Sequence, residues 1–188
     1  MRIEQFLQTT GTATRQVDRF DNFMVKVGLP PMWQPMESPF ATPLWIWVSD
    51  PCIKEFGANA VLTMYVLDSP ITGREIFPML CEQQLQTFPQ SRESKRELQD
   101  ATEGPGLTGI LVTQMDADVG AIDTVAWSRM ITTDRETMIA QLTVTALHSS
   151  PVDWPEIWLG VETATTTGYV SVSRSGGAPV EQMPGGRH

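Results

Sequence analysis

The chain has 188 residues, of which 13 are basic and 22 acidic, so its formal net charge at pH 7 is −9. This acidic balance argues against general attraction to nucleic-acid phosphates or anionic lipid surfaces. Hydrophobic residues make up 41% and charged residues 19% of the chain, which is typical of a globular domain and excludes a wholly disordered protein.

A short amphipathic helix is predicted at the N-terminus. Its apolar stripe recurs at helical spacing and consists of Ile3, Phe6, Leu7 and Thr10. Gly11 follows at the position where a helix C-cap is expected. Two short strands are predicted next, over residues 14–19 and 23–27, around a polar turn at Asp21 and Asn22.

The middle of the chain predicts a loop, two buried strands and a longer helix. Residues 35–43 are rich in Pro, Ser and Thr and are expected to form the loop. Residues 44–48 and 60–67 are apolar on both faces, which favours central strands that are covered on both sides. A broad apolar stripe predicts a helix over residues 72–87, in which Pro78 indicates a kink or a late start.

The following segment is predicted to be an antiparallel meander. Residues 91–100 are strongly charged, as expected of an edge strand protected against edge-to-edge pairing. Three strand candidates with tight connections follow, over residues 107–115, 122–132 and 136–147.

A third helix is expected to begin at Ser150, which can cap it, with Pro151 in its first turn. Its inward-facing residues would be Trp154, Ile157, Trp158 and Val161. Beyond about residue 168 the chain is polar and glycine-rich. The sequence therefore predicts one domain over residues 1–167 and a flexible C-terminal tail over residues 168–188.

The order of these elements predicts the fold class. Two helices bracket the meander, and another interrupts it between the two most buried strands. This arrangement would cover both faces of one mainly antiparallel sheet, giving an α/β/α sandwich of the α+β class.

The cysteines and the N-terminus bear on the compartment. Cys52 and Cys81 form no metal-binding spacing, and two free thiols are favoured over a disulfide between them. The N-terminal residues contain neither an apolar signal core nor a lipobox cysteine, so we expect a cytoplasmic chain, although a start site further upstream would add a leader. No metal or cofactor is expected.

The sequence contains no evident catalytic signature. Any Ser/His/Asp or Cys/His system would depend on His148, and a histidine that simply ends a strand is the favoured interpretation. The acidic run at residues 116–123 lacks the ligand spacing of a calcium loop and is expected to be a hairpin connection.

The six tryptophans are the most unusual feature of the composition. They favour core and rim packing, because tryptophan brings a large apolar area. The alternative is an aromatic-lined cleft for an apolar or sugar-like ligand. Its candidate binding residues are Trp33, Trp45, Trp47 and Tyr65.

The order and spacing of several motifs resemble the LpqN/LpqT family of actinobacterial cell-envelope proteins over roughly residues 1–165. The motifs are the first helix with its glycine, the Leu-Pro-x-x-Trp turn at 29–33, the aromatic strand with its Asp-Pro stop at 45–51, the strand at 61–67 and the helix that closes at Phe88-Pro89.

That resemblance implies a PsbP-like fold, which is used mainly by binding and assembly factors rather than by enzymes. Lipoprotein members of the family carry a signal peptide and a lipobox, and this chain departs from them in having neither. The resemblance therefore favours a non-enzymatic binding module for a small apolar or glycolipid-like ligand or for a protein partner linked to the cell envelope. The alternatives are an adaptor or chaperone-type domain without a ligand pocket and, less favoured, a hydrolase that uses His148.

Overall fold

The structure is a computed structural model that describes residues 3–39, 42–50, 56–150, 152–164, 170–174 and 181–183. It contains two helices, α1 (Ile3–Thr10) and α2 (Gly73–Thr87). The strands are β1 (Thr14–Gln16), β2 (Phe23–Leu29), β3 (Gln34–Met36), β4 (Leu44–Val48), β5 (Asn59–Leu67), β6 (Arg92–Asp100), β7 (Leu107–Ala117), β8 (Gly120–Thr132), β9 (Thr137–Leu147), β10 (Trp158–Thr163), β11 (Val170–Arg174) and β12 (Glu181–Met183).

The strands form two sheets. The large sheet has eight strands in the order β3-β4-β5-β9-β8-β7-β6, with β1 beside β5, and its described pairs are antiparallel. The small sheet has four strands in the order β10-β2-β11-β12. In it, β2 pairs antiparallel with β10 and parallel with β11.

The helices cover one face of the large sheet. Ile76 and Phe77 of α2 and Leu7 of α1 are buried together with Ile139 and Met130 of the sheet. The small sheet covers the other face, where residues of β2, β10 and β11 are buried against alternate residues of β5 and β9. Since strand residues alternate between faces, the large sheet separates the two cores, and the layers are helices, large sheet and small sheet.

Local sequence explains where α2 begins. The Thr72 side chain accepts a hydrogen bond from the Glu75 backbone N–H, and the Glu75 carboxylate accepts one from the Thr72 backbone N–H. This capping box satisfies amide groups that the first helical turn leaves unpaired. Pro78 lies inside the helix.

Much of the predicted element order is confirmed. Helix α1 ends before Gly11, whose φ of 66° suits a helix C-cap. The helix predicted over 72–87 is α2, and the charged strand at 91–100 is β6, at the edge of the large sheet. The expected meander is β7, β8 and β9, joined by short connections.

The predicted α/β/α sandwich is wrong. Of the described residues, 52% lie in strands and 16% in helices, and helices cover only one face of the large sheet. The helix expected after Ser150 is a single 3-10 turn at Trp154–Glu156, followed by β10. Ile157, Leu159 and Val161 are buried at every second position, and this alternation was hidden by the helical spacing of the neighbouring tryptophans.

Three details of strand pairing also differ from expectation. The strands on either side of Asn22 do not pair with each other along their length, because β1 joins β5 and β2 joins the small sheet. The segment predicted as a loop contains β3, in which Pro35 pairs with Trp47; a proline is tolerated there because β3 is an edge strand. Strand β4 is therefore second from the edge rather than central.

Part of the expected tail is structured. Residues 170–174 form β11 beside β2, and Val170 and Val172 are buried in the core between the sheets. The short apolar alternation of these two valines outweighs the polar composition of the segment around them. Residues 165–169, 175–180 and 184–188 lie outside the described residues.

Candidate functional site

Two of the four candidate binding residues belong to the hydrophobic core. Trp33 is 4% exposed and Trp47 is 1% exposed, and both are buried between the two sheets. Trp47 lies on β4 opposite Ala60, on the face that the small sheet covers. Its Nε1 atom is buried and has no hydrogen-bond partner. Core packing, rather than an open cleft, is the role that the structure gives to these two side chains.

The other two candidates lie on opposite faces of the large sheet. Trp45 is half-buried against the core between the sheets, next to Trp47 on the same face. Tyr65 of β5 is half-buried against the helices. The four aromatic residues therefore do not form one cleft, and a binding role for Trp45 or Tyr65 stays a prediction.

The remaining tryptophans lie in the C-terminal half of the chain. The rings of Trp127 and Trp154 are 6.4 Å apart between centroids and tilted by 36°, as is common for packed aromatic pairs. Trp158, in contrast, is 39% exposed at the start of β10.

His148 belongs to an exposed polar cluster. Its Nδ1 lies 2.7 Å from a carboxylate oxygen of Asp123, and the Gln114 amide donates to the other Asp123 oxygen at 2.7 Å. The His148 backbone N–H also donates to the Ala121 carbonyl at 2.7 Å. No described hydroxyl or thiol hydrogen-bonds to this ring, so the nucleophile that acyl-transfer chemistry requires is not in place. The cluster fits the expected strand-end role.

Cys81 has the character of a core residue. It is a free cysteine, as predicted, and it is 2% exposed beneath α2. Burial raises the pKa of the Cys81 thiol to about 11, which leaves it protonated and unreactive near neutral pH. Cys52 lies outside the described residues.

In the described part of the chain, the helices cover only part of this face of the large sheet. Helix α2 contacts β6, β7 and β8, and the core under the helices reaches β5 and β9 only near Leu67 and Ile139. Farther along β5 and β9, on the same face, lie half-buried polar side chains that we call the threonine surface. They are Thr63, Gln141, Thr143 and Thr145.

An aliphatic strip borders the threonine surface. Leu44, which is half-buried, and Ile46, which is only 9% exposed, lie on β4 opposite Thr63 and Val61 of β5 in the strand register. Thr63 in turn lies opposite Gln141 of β9. Apolar side chains thus stand beside hydroxyl and amide groups on one continuous face, an arrangement that can contact the hydrocarbon and the polar part of an amphiphile at once.

Sequence reasoning did not identify this surface. The alternation of β9 places Gln141, Thr143 and Thr145 on one face, but the same pattern is typical of an ordinary solvated strand face. The missing information is which part of that face the helices cover, and this depends on long-range packing.

Other classes of site find little support in the described residues. They contain no cluster of three or more His, Cys, Asp or Glu side chains that could hold a metal ion. No helix in the described part of the chain is long and apolar enough to cross a membrane.

These features define a layered, mostly β protein with an amphipathic surface beside its helices. No protein-family model and no curated protein matches the sequence. The fold is similar to that of LpqN, a protein involved in cell envelope biogenesis of Mycobacterium tuberculosis, whose crystal structure aligns with a TM-score of 0.64. The alignment has 14% sequence identity and covers 79% of this chain and 86% of LpqN. At this identity the likeness shows the fold alone, and it supports the LpqN-like fold that the sequence resemblance implies.

Proposed function

We propose that this protein is a non-enzymatic binding module linked to cell-envelope biogenesis, and that it holds an amphiphilic, glycolipid-like molecule on the threonine surface. The observation that carries the proposal is that Leu44, in the aliphatic strip, lies directly opposite Thr63, which in turn lies opposite Gln141. The likeness of the fold to LpqN supports the envelope link. The cytoplasmic location expected from the sequence stays a prediction.

The polarity of this surface favours an amphiphile over a purely apolar ligand. A hydrocarbon alone would cover the half-buried hydroxyl groups of Thr63 and Thr143 without offering them hydrogen bonds, which costs free energy. A sugar headgroup supplies hydroxyl groups for Thr143 and Gln141, while its alkyl chain lies along β4. The surface carries no charged residue at these positions, which favours a neutral headgroup over an anionic one.

Calorimetric titration with monomeric dodecyl maltoside tests the proposal. Binding should be accompanied by a negative heat-capacity change, because apolar surface is buried. Thr143→Lys places a charge at the centre of the surface and should abolish the part of the binding that buries the alkyl chain and carries this heat-capacity change. Thr108→Lys is the matched control, since Thr108 is also half-buried on a strand. Its neighbour Gly109 faces the helices and packs under Phe77 of α2, so Thr108 lies on the opposite face of the large sheet from the threonine surface.

The outcomes are distinguishable. Loss of the heat-capacity change in Thr143→Lys with its retention in Thr108→Lys supports the proposal. No such heat-capacity change with the unmodified protein, or an equal one with both variants, would place the alkyl chain elsewhere. Native mass spectrometry of the protein purified from its own host would identify a retained amphiphile by its mass.

A protein-interaction adaptor is the second candidate, and one observation favours it. Met32 is 74% exposed and Met36 is 48% exposed, and Met36 lies on the edge strand β3. Exposed methionines adapt to varied partners, and an edge strand offers unpaired backbone groups. If the protein retains a polypeptide in the host and binds no amphiphile, this alternative replaces the first.

A further inference from the structure

On the outer face of the small sheet, the indole ring of Trp158 covers Gly28. Trp158 of β10 pairs with Gly28 of β2. A Cβ atom at position 28 would overlap the five-membered part of the Trp158 ring. At Gly160, two residues along β10, a Cβ atom would lie 3.3 Å from Cζ3 in the six-membered part. The ring therefore lies over the backbone of both residues: a side chain at position 28 would overlap it, and one at position 160 would press against it.

The other side of this ring is available to a ligand. Trp158 is 39% exposed, whereas Val27 and Leu159, which face the core from the neighbouring positions, are buried. No described residue accepts a hydrogen bond from the Trp158 Nε1, although buried or partly buried indoles usually find such a partner. Two antiparallel strands thus hold a rigid aromatic surface with an unused donor.

A charge-balanced polar rim stands beside the ring. Lys26 of β2 lies opposite Gly160, and its Nζ is 2.7 Å from a carboxylate oxygen of Glu162. Lys26, Gly28, Gly160 and Glu162 alternate with the core-facing residues of their strands and share the outer face with Trp158, whose ring covers Gly28. The rim offers donors and acceptors side by side with no net charge.

We propose that Trp158, with Lys26 and Glu162, binds a neutral hexopyranose unit. A pyranose ring presents a face of C–H groups, which carry slight positive charge and stack on the electron-rich face of an indole. Its hydroxyl groups lie at the ring edge, where Lys26 can donate and Glu162 can accept hydrogen bonds. The balanced charge of this pair disfavours an anionic ligand, and the width of one indole fits a single sugar ring.

The same geometry also has a purely structural effect, because an aromatic side chain that covers a glycine in a neighbouring strand stabilises the sheet. Sheet stabilisation predicts a change in melting temperature and no sugar binding. The two roles therefore separate experimentally. The site lies on the side of the molecule opposite the threonine surface and does not depend on the function proposed for that surface.

Saturation-transfer NMR with maltohexaose and cellohexaose tests the proposal. Saturation should reach the ring C–H protons of at least one of these neutral oligosaccharides. Trp158→Ala should lower its affinity about tenfold or more, since aromatic anchors carry much of the energy of binding. Met32→Ala is the control, because it removes an exposed hydrophobic side chain that is not part of the Trp158 site.

A second variant covers the case in which Trp158→Ala fails to fold. Lys26→Met with Glu162→Gln keeps the indole and removes the charged rim, and it should also weaken sugar binding about tenfold. The variant Thr143→Lys should bind the oligosaccharides normally, so failure of the threonine-surface proposal leaves this one standing. No saturation transfer to either sugar, or undiminished transfer both in Trp158→Ala and in Lys26→Met with Glu162→Gln, would overturn the inference.

The sugar can come from a free glycan or from a glycolipid headgroup. Neutral phosphatidylcholine vesicles with and without diglucosyl diacylglycerol distinguish the two sources. Co-sedimentation that requires the glycolipid and is lost in Trp158→Ala indicates a headgroup. Binding of the soluble oligosaccharides alone indicates a glycan.

Discussion

Arg129 holds Glu103 by two hydrogen bonds to one backbone carbonyl oxygen, from Nη1 at 3.1 Å and from Nη2 at 3.0 Å. Nη2 also donates to the Pro105 carbonyl at 2.8 Å, and Arg129 is 5% exposed. Burial lowers the pKa of Arg129 from its ordinary value, an effect that the charge of Glu103 partly opposes. Carbonyl dipoles thus take the place of an ion pair and fix the connection between β6 and β7 against β8.

Replacing Arg129 by Ala should lower the free energy of unfolding by about 3 kcal/mol, because it leaves carbonyl groups unpaired and opens a cavity. Arg129→Lys should not restore stability, since an ammonium group cannot reproduce the fork of hydrogen bonds. Urea unfolding measures both. Arg135→Ala, at an exposed arginine, is the control, and an Arg129→Ala variant as stable as this control would contradict the assignment.

The two buried tryptophans give a second prediction. Trp33→Ala should lower the free energy of unfolding by roughly 3–5 kcal/mol, as expected for a core residue. Trp47→Phe should cost no more than about 1 kcal/mol, because removal of the unpaired Nε1 offsets part of the lost packing. Thermal denaturation of both variants checks these values. A Trp33→Ala variant as stable as the unmodified protein would mean that Trp33 lies in an open cleft and not in the core.

The sequence could predict the elements that repeat one period over a long stretch. In strand β9 apolar and polar residues alternate from Ala140 to Ala146, and short connections join the strands of the meander. Its pairing therefore follows from the local pattern and from the shortness of the loops. Helix α2 could be predicted equally well, because the Thr72–Glu75 capping box marks its start.

The small sheet could not be predicted from the sequence in the same way. Strand β10 has six residues, and over so short a stretch the spacing of Trp154, Ile157, Trp158 and Val161 fits a helix as well as a strand. Strand β2 carries no local signal for its partners, which follow it in sequence by more than a hundred residues. Such pairings are decided by the whole fold.

The burial of Trp33 and Trp47 could not be predicted for a related reason. Tryptophan is typical both of cores and of binding clefts, so Trp33 and Trp47 could not be assigned from residue type. The exposed position of Trp158 depends on Gly28, a residue of a different strand. Residue type identified the tryptophans as candidates for core packing or for ligand binding, but only the packing shows which of them is exposed.

Deleting residues 170–188 should destabilise the protein. Val170 and Val172 are buried between the sheets, and losing both should cost about 3 kcal/mol, or roughly 6–12 °C in melting temperature for a chain of this size. The full-length variant with Val170→Ser and Val172→Ser should lose a similar amount. Differential scanning calorimetry compares the two, and an unchanged melting temperature after truncation would show that β11 contributes nothing to stability.

The buried thiol of Cys81 should make stability fall at alkaline pH. Burial raises its pKa from the ordinary value of 9.0 to about 11 in the folded chain. Between these values the unfolded thiol releases its proton while the folded thiol keeps it, so the folded state binds more protons and becomes less stable as the pH rises from 9 to 11. Cys81→Ala removes this contribution, and the difference between the unfolding free energies of the two proteins should change across that window and stay constant below pH 8. A difference that does not vary with pH would mean that the thiol is more exposed to water than its place beneath α2 implies.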